Sequence, residues 1–441
     1  MKTLHLTNAW HATSGGIGTF YRSLIDQANQ RGHSLRLVVP SDQDRMEEAG
    51  KFGRVYHVKS ARAPLYFGYR MLYPGHYLSP RGRICEILNA ERPDLIEICD
   101  KYTLPYLGGL LRVHKLKGVD LTAPVIGLSC ERMDENMLAY FSGSALGKWF
   151  CRWYMKNIYF PQFDHHIANS EHTAGELYEA SRGHKVRRGV WVMPMGVDTT
   201  RFSPELRSAD LRRSLVSRCG GDRGSVLLLY AGRLAPEKNL QLLAETMGVL
   251  ASRLDRDFRL LVAGQGMLRE SFERLCHAAA PGRVCFLGHM ASKGELAGLY
   301  ANADVFVHPN PREPFGIAPL EAMASGLALV APNCGGVTSY ADSGNAWLAD
   351  ASAGAFAAAI DSATAPGPDR NAKITSALAT AQRYEWSSIA GEFLDFYREA
   401  AECFRGERSE TTRPARFYST PGDYWGREVA EAGPAVPQGI G

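Results

Sequence analysis

Residues 305–326, VFVHPNPREPFGIAPLEAMASG, give the clearest indication of the fold class, because an apolar β-branched run changes there into a helical pattern. The run VFVHP has the composition of a buried strand. Ligands of open α/β sheets bind at the carboxyl ends of the strands, so we expect Glu313 in a ligand-facing loop. Phe315, Gly316 and Ile317 would open the next helix and present free backbone N–H groups to an anion.

Two carboxylates in this stretch bracket the expected ligand position. Glu321 follows Glu313 by eight residues and falls inside the predicted helix. One carboxylate in the loop and one about a turn into the helix can face a single ligand. Taken alone, Glu313 also fits a carboxylate near a helix N-terminus, and Glu321 also fits an exposed helix residue.

The same alternation of strand and helix runs through the rest of the chain. Strands are predicted at 4–7, 35–39, 55–58, 94–99, 125–129, 166–169 and 190–193, and in a second series at 226–230, 259–262, 284–287, 305–308 and 328–330. Helical periodicity occupies much of the intervening sequence, for example at 19–30, 173–180 and 239–254. This alternation predicts an α/β protein with parallel sheets and helices on both faces of each sheet.

The two series predict two doubly wound, Rossmann-like domains. The first domain covers 1–195, a polar linker with a short helix covers 196–223, and the second domain covers 224–385. The apolar helix 386–404 is expected to cross back onto the first domain, because Trp386, Phe393 and Phe396 need burial. Residues 405–441 contain four prolines and little periodicity, which predicts a flexible tail.

Two further turns that contain glycine follow predicted strands. GRLAPEKN at 232–239 places Arg233 and Lys238 at the carboxyl edge of the second sheet, where two cations suit a departing diphosphate. SGGIG follows the first strand, and Gly15 and Gly16 would let the backbone approach phosphate closely. Each turn also has an ordinary explanation, as a solvated charge pair or a common α/β turn. Their shared position at strand-to-helix edges of two domains favours a nucleotide site.

Charge and cysteine content limit the partners. Residues 1–198 contain 25 Lys and Arg against 19 Asp and Glu, and the whole chain has a net charge of +4. A mildly basic first half suits an anionic membrane surface, and the imbalance is too weak for a nucleic acid partner. The nine cysteines show no CxxC pair or Cys/His spacing for zinc, and they fit small core residues of a reducing compartment.

The sequence contains no targeting or membrane-spanning pattern, but one segment suits a membrane surface. The N-terminus is too polar for a signal peptide, and no run reaches the roughly 18 apolar residues of a span, so we expect a cytoplasmic protein. Residues 141–163 are aromatic and basic at helical spacing. The residues concerned are Lys148, Trp149, Phe150, Arg152, Trp153 and Lys156. The pattern is typical of an interfacial helix, here on the inner face of a membrane; it also fits a helix packed on the first domain with its charges in water.

The motifs SGGIGTF, GVDTTRFSP, GRLAPEKN and EPFGIAPLEAMASG make the chain similar to glycosyltransferase family 4 over roughly residues 1–400. The last motif contains the Glu-x7-Glu pattern of that family. The resemblance implies the GT-B architecture, with two Rossmann-like domains facing across a cleft. It also implies retaining transfer of a hexose from a nucleotide-diphosphate sugar to a lipid-linked or glycan acceptor.

The resemblance further implies a role for each site residue. Arg233 and Lys238 hold the diphosphate, and Glu313 meets the sugar ring at its reacting face. The remaining donor contacts are Gly15 and Gly16 on phosphate, Gly264, His289 and Met290 around the nucleobase, Phe315, Gly316 and Ile317 on sugar and phosphate, and Glu321 on the ribose. Because two cations already face the diphosphate, we expect neither a metal ion nor a cofactor, with the nucleotide sugar as a co-substrate.

One departure from the family concerns the acceptor side. Many members have a His after the strand that here ends GLSC, whereas this chain has Cys130, which cannot make the hydrogen bonds of an imidazole. Either Glu131 or Arg132 takes over that role, or the acceptor pocket differs. Cys130 favours the alternative of a non-catalytic sugar-nucleotide sensor, whereas intact Arg233, Lys238, Glu313 and Glu321 argue against it. A sugar-nucleotide epimerase of similar architecture is a second open alternative. A dehydrogenase is excluded, because the dinucleotide fingerprint lacks its third glycine.

Overall fold

The computed structural model describes residues 1–10, 15–63, 69–140, 145–184, 189–253, 255–290 and 292–406. The chain divides into two compact units. The first unit consists of Met1–Cys130, Trp149–Met193 and the chain from Glu392, and the second consists of Glu131–Lys148 and Pro194–Gly391. Of the tail predicted at 405–441, residues 407–441 lie outside the described residues.

Each unit is built on one β-sheet. The strands of the first sheet are β1 (Lys2–Thr7), β2 (Ser34–Ser41), β3 (Arg45–Glu48), β4 (Gly53–Lys59), β5 (Leu95–Cys99), β6 (Val125–Ser129), β7 (His165–Ala168) and β8 (Val190–Val192). Those of the second sheet are β9 (Val226–Ala231), β10 (Phe258–Ala263), β11 (Val284–Gly288), β12 (Val305–Val307), β13 (Ala328–Pro332) and β14 (Trp347–Ala349). The spatial orders are β3-β4-β2-β1-β5-β6-β7-β8 and β11-β10-β9-β12-β13-β14. Of the described strand pairings, β3 with β4 is antiparallel and the others are parallel.

Helices connect most of the successive strands, as parallel pairing requires. In chain order they are α1 (Gly16–Arg31), α2 (Gly75–Leu78), α3 (Arg83–Glu91), α4 (Pro105–Arg112), α5 (Met133–Tyr140), α6 (Ala145–Tyr154), α7 (Glu171–Ser181), α8 (Ala209–Arg218), α9 (Leu240–Ala251), α10 (Arg269–Ala279), α11 (Lys293–Asn302), α12 (Ile317–Ala324), α13 (Ala353–Thr364), α14 (Pro368–Arg383) and α15 (Trp386–Phe404). A π-helical turn, Met155–Tyr159, continues α6, and a 3₁₀ turn, Pro236–Lys238, precedes α9. The side chains of Ser170, Ser208 and Ser292 cap α7, α8 and α11, and each satisfies one open N–H group of its helix.

The order of the second sheet reverses between β9 and β12. From β9 the chain proceeds outward through β10 and β11, and it then returns to continue on the other side through β12, β13 and β14. In a doubly wound sheet the loops after the two central strands leave in opposite directions, and ligands bind in the crevice between them. These are the loops that carry Arg233, Lys238 and Glu313.

The central strands are buried on both faces, which explains their continuous apolar sequences. In the second unit Leu228, Leu260, Val305 and Val330 are fully buried and pack with helical side chains such as Met247. A core of this kind holds the strand ends in place, so the loops that follow them start from a rigid frame.

The prediction of two parallel α/β sheets is confirmed, and the predicted strands are present within about two residues at each end. Two strands of the structure, β3 and β14, were not predicted from the sequence. β3 has the sequence RMEE, is exposed along its length and pairs antiparallel at the sheet edge, so it carries no apolar pattern. β14 is only three residues long.

Helix α15 belongs to both units, because it begins in the second and continues into the first at Glu392. In the first unit Phe393 packs edge-on against Phe20 with ring centroids 4.9 Å apart, and Phe396 packs against Trp191 at the same distance. Among the described residues, no helix is both long enough and apolar enough to cross a bilayer.

Candidate active site

The loop after β9 is held by hydrogen bonds at both of its ends. The Tyr230 hydroxyl donates to the Arg233 carbonyl at 2.9 Å. Asn239 has a left-handed φ of +51°, and its side-chain amide donates to the Pro309 carbonyl at 3.0 Å. The bond from Asn239 joins this loop to the one after β12, so the neighbouring Lys238 has a defined position at the crevice.

The loop after β12 is shaped by close backbone contacts that only glycine allows. The Gly336 N–H donates to the Glu313 carbonyl at 2.6 Å, and a Cβ at position 336 would lie 1.9 Å from the Pro314 carbonyl oxygen. Gly316 caps α12 with a φ of +89°, and its carbonyl accepts a 2.5 Å hydrogen bond from the Tyr340 hydroxyl. The backbone on both sides of the Glu313 side chain is therefore fixed.

Phe315 and Ile317 lie where the loop after β12 enters α12. The Phe315 ring is buried and packs against Tyr340 at 5.1 Å between ring centroids. Ile317 is the first residue of α12, so its N–H group belongs to the open N-terminal turn of that helix. An anion at this position would meet N–H groups and the positive end of the helix dipole.

Lys238 and Glu313 form an ion pair at the crevice. The Lys238 Nζ lies 2.7 Å from the Glu313 Oε2, and the two side chains are 19% and 12% exposed. The Asn310 Nδ2 donates to the same oxygen at 3.0 Å, and the His308 Nε2 lies 3.6 Å from it. The contacts described for this carboxylate, from Lys238, Asn310 and His308, all end on Oε2.

The surroundings keep Glu313 charged and His308 neutral near pH 7. Burial acts to raise the pKa of the Glu313 carboxyl, but Lys238, His308 and the hydrogen bonds from Lys238 and Asn310 outweigh it and lower that pKa to about 2. Burial lowers the pKa of the His308 imidazole to about 4. A charged carboxylate beside a neutral ring can accept a hydroxyl hydrogen bond or stabilise positive charge.

Arg233 makes its ion pair elsewhere in the loop. Its guanidinium lies 2.9 Å from the Glu237 Oε1, and the Arg233 side chain is 51% exposed. The structure thus brings Lys238 directly onto Glu313, whereas Arg233 stays nearer the solvent. Each of the two predicted diphosphate-binding cations thus contacts a carboxylate.

Glu321 lies in the second turn of α12, eight residues beyond Glu313, and is half-buried. Burial raises the pKa of its carboxyl to about 7, while the nearby Tyr300 hydroxyl and Lys293 act in the opposite direction. The alternative of an exposed helix carboxylate therefore does not describe Glu321. A carboxyl that titrates near neutral pH in a buried place is a candidate ligand-binding group.

Close approach of the backbone around Gly264 leaves no room for a side chain at that position. A Cβ there would lie 1.9 Å from the Gly232 carbonyl oxygen, and the Gly264 N–H donates to the Gly288 carbonyl at 2.8 Å. The loops after β9, β10 and β11 are joined in this way. His289, which is exposed, and the half-buried Met290 follow directly. The structure thus brings together the predicted nucleobase residues, and their role stays a prediction.

The predicted phosphate glycines lie in the first unit. Gly15 is the N-cap residue of α1, Gly16 is its first residue, and the Gly15 carbonyl accepts from the Thr19 N–H at 3.2 Å. A Cβ at Gly15 would meet nothing within 4 Å, so packing in the described residues does not require glycine there. Ser14, quoted with this turn, lies outside the described residues.

The acceptor-side candidates divide between the two units. Cys130 ends the first unit's long N-terminal segment, and Glu131 and Arg132 belong to the second unit. The Glu131 carboxylate accepts from the Asn136 side chain at 2.7 Å. The Arg132 guanidinium donates to both oxygens of Asp134 at 3.1 and 2.8 Å. A ligand that uses Glu131 or Arg132 must compete with these neighbours.

Asn310 and His308 contact the central carboxylate, and sequence reasoning did not select either residue. Both lie inside the stretch quoted first, where NP and HP look like ordinary turn and strand-end sequences. Polar residues directly after a buried strand were the available signal, since the carboxyl end of a strand is a ligand-facing position.

Two family models match most of the chain. The model described as Glycosyltransferase Family 4 matches residues 14–201, and the one described as Glycosyl transferases group 1 matches residues 220–377. The chain therefore belongs to the group 1 glycosyltransferases of family 4, and the prediction of a glycosyltransferase that uses a nucleotide sugar is confirmed at this level.

Individual relatives agree with this assignment. The GDP-mannose-dependent alpha-(1-6)-phosphatidylinositol dimannoside mannosyltransferase of Mycobacterium tuberculosis is 27% identical over 402 residues, which is 89% of this chain and 95% of the relative. A GDP-mannose-dependent alpha-mannosyltransferase of Mycolicibacterium smegmatis is 29% identical over 76% of this chain and 80% of its own length.

The fold matches solved structures. A sucrose-phosphate synthase from Thermosynechococcus elongatus superposes with a TM-score of 0.71 at 19% identity, covering 90% of this chain and 99% of that one. HepE of Anabaena, solved with UDP and glucose, has a TM-score of 0.66 at 15% identity, covering 90% of this chain and 100% of that one. At these identities the likeness concerns the fold, and it confirms the predicted GT-B architecture.

Proposed function

We propose that this protein is a retaining, metal-independent hexosyltransferase that moves a sugar from a nucleotide diphosphate to a lipid-linked or glycan acceptor. The observation that carries the proposal is the Lys238–Glu313 pair at the central crevice of the second sheet. Glu321, in the second turn of α12, supplies a second carboxylate with a different environment.

The pairing suggests how the donor enters. A diphosphate carries negative charge that competes with Glu313 for Lys238 and with Glu237 for Arg233. When Lys238 turns to phosphate, the Glu313 carboxylate is left beside the sugar. As the bond between the anomeric carbon and phosphate breaks, negative charge grows on the leaving diphosphate near the two cations. Positive charge grows on the sugar ring near Glu313, so both ends of the breaking bond are stabilised.

GDP-mannose is the donor that we propose, because both relatives described above are GDP-mannose-dependent by name. The test is a panel of GDP-mannose, UDP-glucose and ADP-glucose, incubated with and without lipid and glycan acceptors. Transfer with retention, read from anomeric protons in product NMR, supports the proposal, and inversion contradicts it. Conversion of one sugar nucleotide into another would identify an epimerase, and binding without turnover would identify a non-catalytic sensor.

Nucleotide binding should not require a metal ion. We expect GDP at about 100 times its Kd to stabilise the protein by about 2.7 kcal/mol, and we expect the same rise in Tm in excess EDTA. The reason is that Arg233 and Lys238 supply the positive charge that a divalent ion would otherwise supply. Disappearance of the shift in EDTA, followed by its return with added Mg²⁺, would contradict the metal-free mode.

Donor affinity should increase with pH through Glu321. Burial raises the pKa of its carboxyl to about 7, and ribose hydroxyls donate hydrogen bonds to the charged form. Binding therefore strengthens as pH rises through 7 and weakens by up to about tenfold per unit below it. Calorimetry with GDP-mannose, whose diphosphate does not titrate there, measures the effect. Glu321→Gln should bind more weakly at high pH and lose the pH dependence; an unchanged slope would contradict this role.

The outer face of α6 supports an acceptor at a membrane. The large apolar residues of that face are exposed, and they are Leu146 (72%), Trp149 (61%), Phe150 and Trp153. Cys151 and Tyr154, on a different face of the helix, are buried. Soluble proteins rarely leave a contiguous apolar patch of this kind in water. We propose that it rests on an anionic lipid surface.

Basic residues beside this face fit such a surface. Lys148 and Lys156 are exposed, whereas Arg152 lies 3.5 Å from Glu179 and its charge is partly compensated. Of the three predicted basic contacts, the two lysines are therefore the stronger. Each is worth about 1 kcal/mol near an anionic membrane.

Reversing the two lysines should release the protein from vesicles. We expect Lys148→Glu with Lys156→Glu to lower co-sedimentation with phosphatidylglycerol vesicles at least about tenfold, because two attractive charges become repulsive. Lys115→Glu with Lys117→Glu makes the same charge change at exposed positions shortly after α4 and should have little effect. Equal losses in both variants would mean that only net charge matters, and no loss would leave α6 without a membrane role.

A further inference from the structure

His308 directly follows β12 and is 5% exposed, so its side chain is buried. Among the described residues, the ring nitrogen Nε2 has no hydrogen-bond partner. The Glu313 Oε2 lies 3.6 Å from that nitrogen, which is beyond hydrogen-bond distance. A buried nitrogen left unpaired costs free energy. A hydrogen bond formed in another state of the site would recover that cost.

The other groups around Glu313 cannot take that role. The Tyr230 and Tyr340 hydroxyls, which also lie near this carboxylate, donate to the Arg233 and Gly316 carbonyls. Asn310 already donates to the carboxylate and is uncharged. After Lys238 has moved to a diphosphate, Glu313 needs a new hydrogen-bond donor. Among the described side chains around it, His308 still has an unpaired ring nitrogen, Nε2, that can donate.

We propose that His308 is a positioning residue that replaces Lys238 on Glu313 when the donor sugar binds. The ring N–H closes the 3.6 Å gap to Oε2, so that Oε2 stays anchored and the carboxylate keeps its position beside the sugar. The carboxylate then remains charged in a buried place after its cation has left. This inference deepens the proposed function and rests on it, since it requires a diphosphate that draws Lys238 away.

The test counts protons taken up when donor binds. GDP-mannose, or whichever donor of the panel binds the wild type, is titrated by calorimetry at about pH 8 in two buffers of different ionisation enthalpy. We expect little proton uptake by the wild type. His308→Phe removes the donor nitrogen but keeps a ring, so Glu313 should take up a fraction of a proton on binding. We also expect kcat to fall about tenfold with donor Kd changed less.

Two further variants separate positioning from packing. His308→Gln places an amide donor near the same point and should restore both proton balance and kcat toward the wild type. Glu313→Gln in the His308→Phe background should abolish the extra uptake, since Glu313 is its source. Equal proton uptake by wild type and His308→Phe, with or without a fall in stability, overturns the inference. Failure of every donor to bind the wild type instead overturns the proposed function.

Discussion

Replacing Glu313 with glutamine should lower kcat by roughly 10²–10³-fold while leaving donor affinity nearly intact. The change keeps the size of the side chain and its contact with Asn310, but it removes the negative charge that faces the developing positive charge of the sugar. Because that charge develops mainly in the transition state, kcat should fall more than ground-state binding.

The Lys238–Glu313 ion pair makes this expectation more specific. In the wild type a phosphate competes with Glu313 for Lys238, whose Nζ lies 2.7 Å from the Glu313 Oε2. Glutamine holds Lys238 less strongly, so nucleotide affinity should stay constant or rise slightly. Steady-state kinetics and calorimetry with GDP measure the two quantities separately. Glu270→Gln, on the exposed side of α10, makes the same change away from the site and should be neutral. A fall in affinity with unchanged kcat would assign Glu313 to binding alone.

Lys238→Met should lower kcat/KM by about 10³-fold or more. The variant keeps most of the aliphatic stem and removes the ammonium. A charge-assisted hydrogen bond to phosphate contributes about 1.5–3 kcal/mol in binding, and the leaving group gains further charge in the transition state. Arg274→Met, at an exposed position of α10, is the matched control and should retain activity. Activity within tenfold of the wild type would remove Lys238 from the diphosphate site.

The same variant should change the pH dependence of stability. The pKa of Glu313 is lowered to about 2 in the folded protein from an ordinary value of 4.5. Its stabilising contribution is therefore present above about pH 4.5 and is lost as pH falls toward 2. Without Lys238 the buried carboxylate loses its main cation, so Lys238→Met should lower the Tm at neutral pH. The Tm of this variant should also depend less on pH in the acid range.

A double-mutant cycle separates the two consequences of losing Lys238. Adding Glu313→Gln to Lys238→Met removes the uncompensated carboxylate, so part of the lost Tm should return while activity stays low. If the Tm falls further in the double variant, the uncompensated Glu313 carboxylate is not what destabilises Lys238→Met. Thermal unfolding between about pH 3 and 8 measures the effect directly.

Local pattern was enough to predict the two sheets and the loops that carry Arg233, Lys238 and Glu313. Strand and helix periodicity depend on neighbours within one element, and in a parallel sheet the carboxyl ends of the strands share one edge. β3 could not be predicted in this way, because an exposed, charged edge strand forms through pairing with β4 and has no apolar pattern.

The residue types at the crevice can be read from the amino-acid sequence alone: a Gly-Arg loop, a Glu-x7-Glu motif and glycines at turns. How these residues contact one another depends on the folded chain. Lys238 and Asn310 meet on one oxygen of Glu313, with His308 just beyond, and Glu321 has a raised pKa inside α12. Lys238 and Glu313 are 75 residues apart along the chain, so their contact depends on two strands pairing at the switch point of the sheet. Charge, burial and pairing of a side chain arise from groups brought together by folding, and no local pattern encodes them.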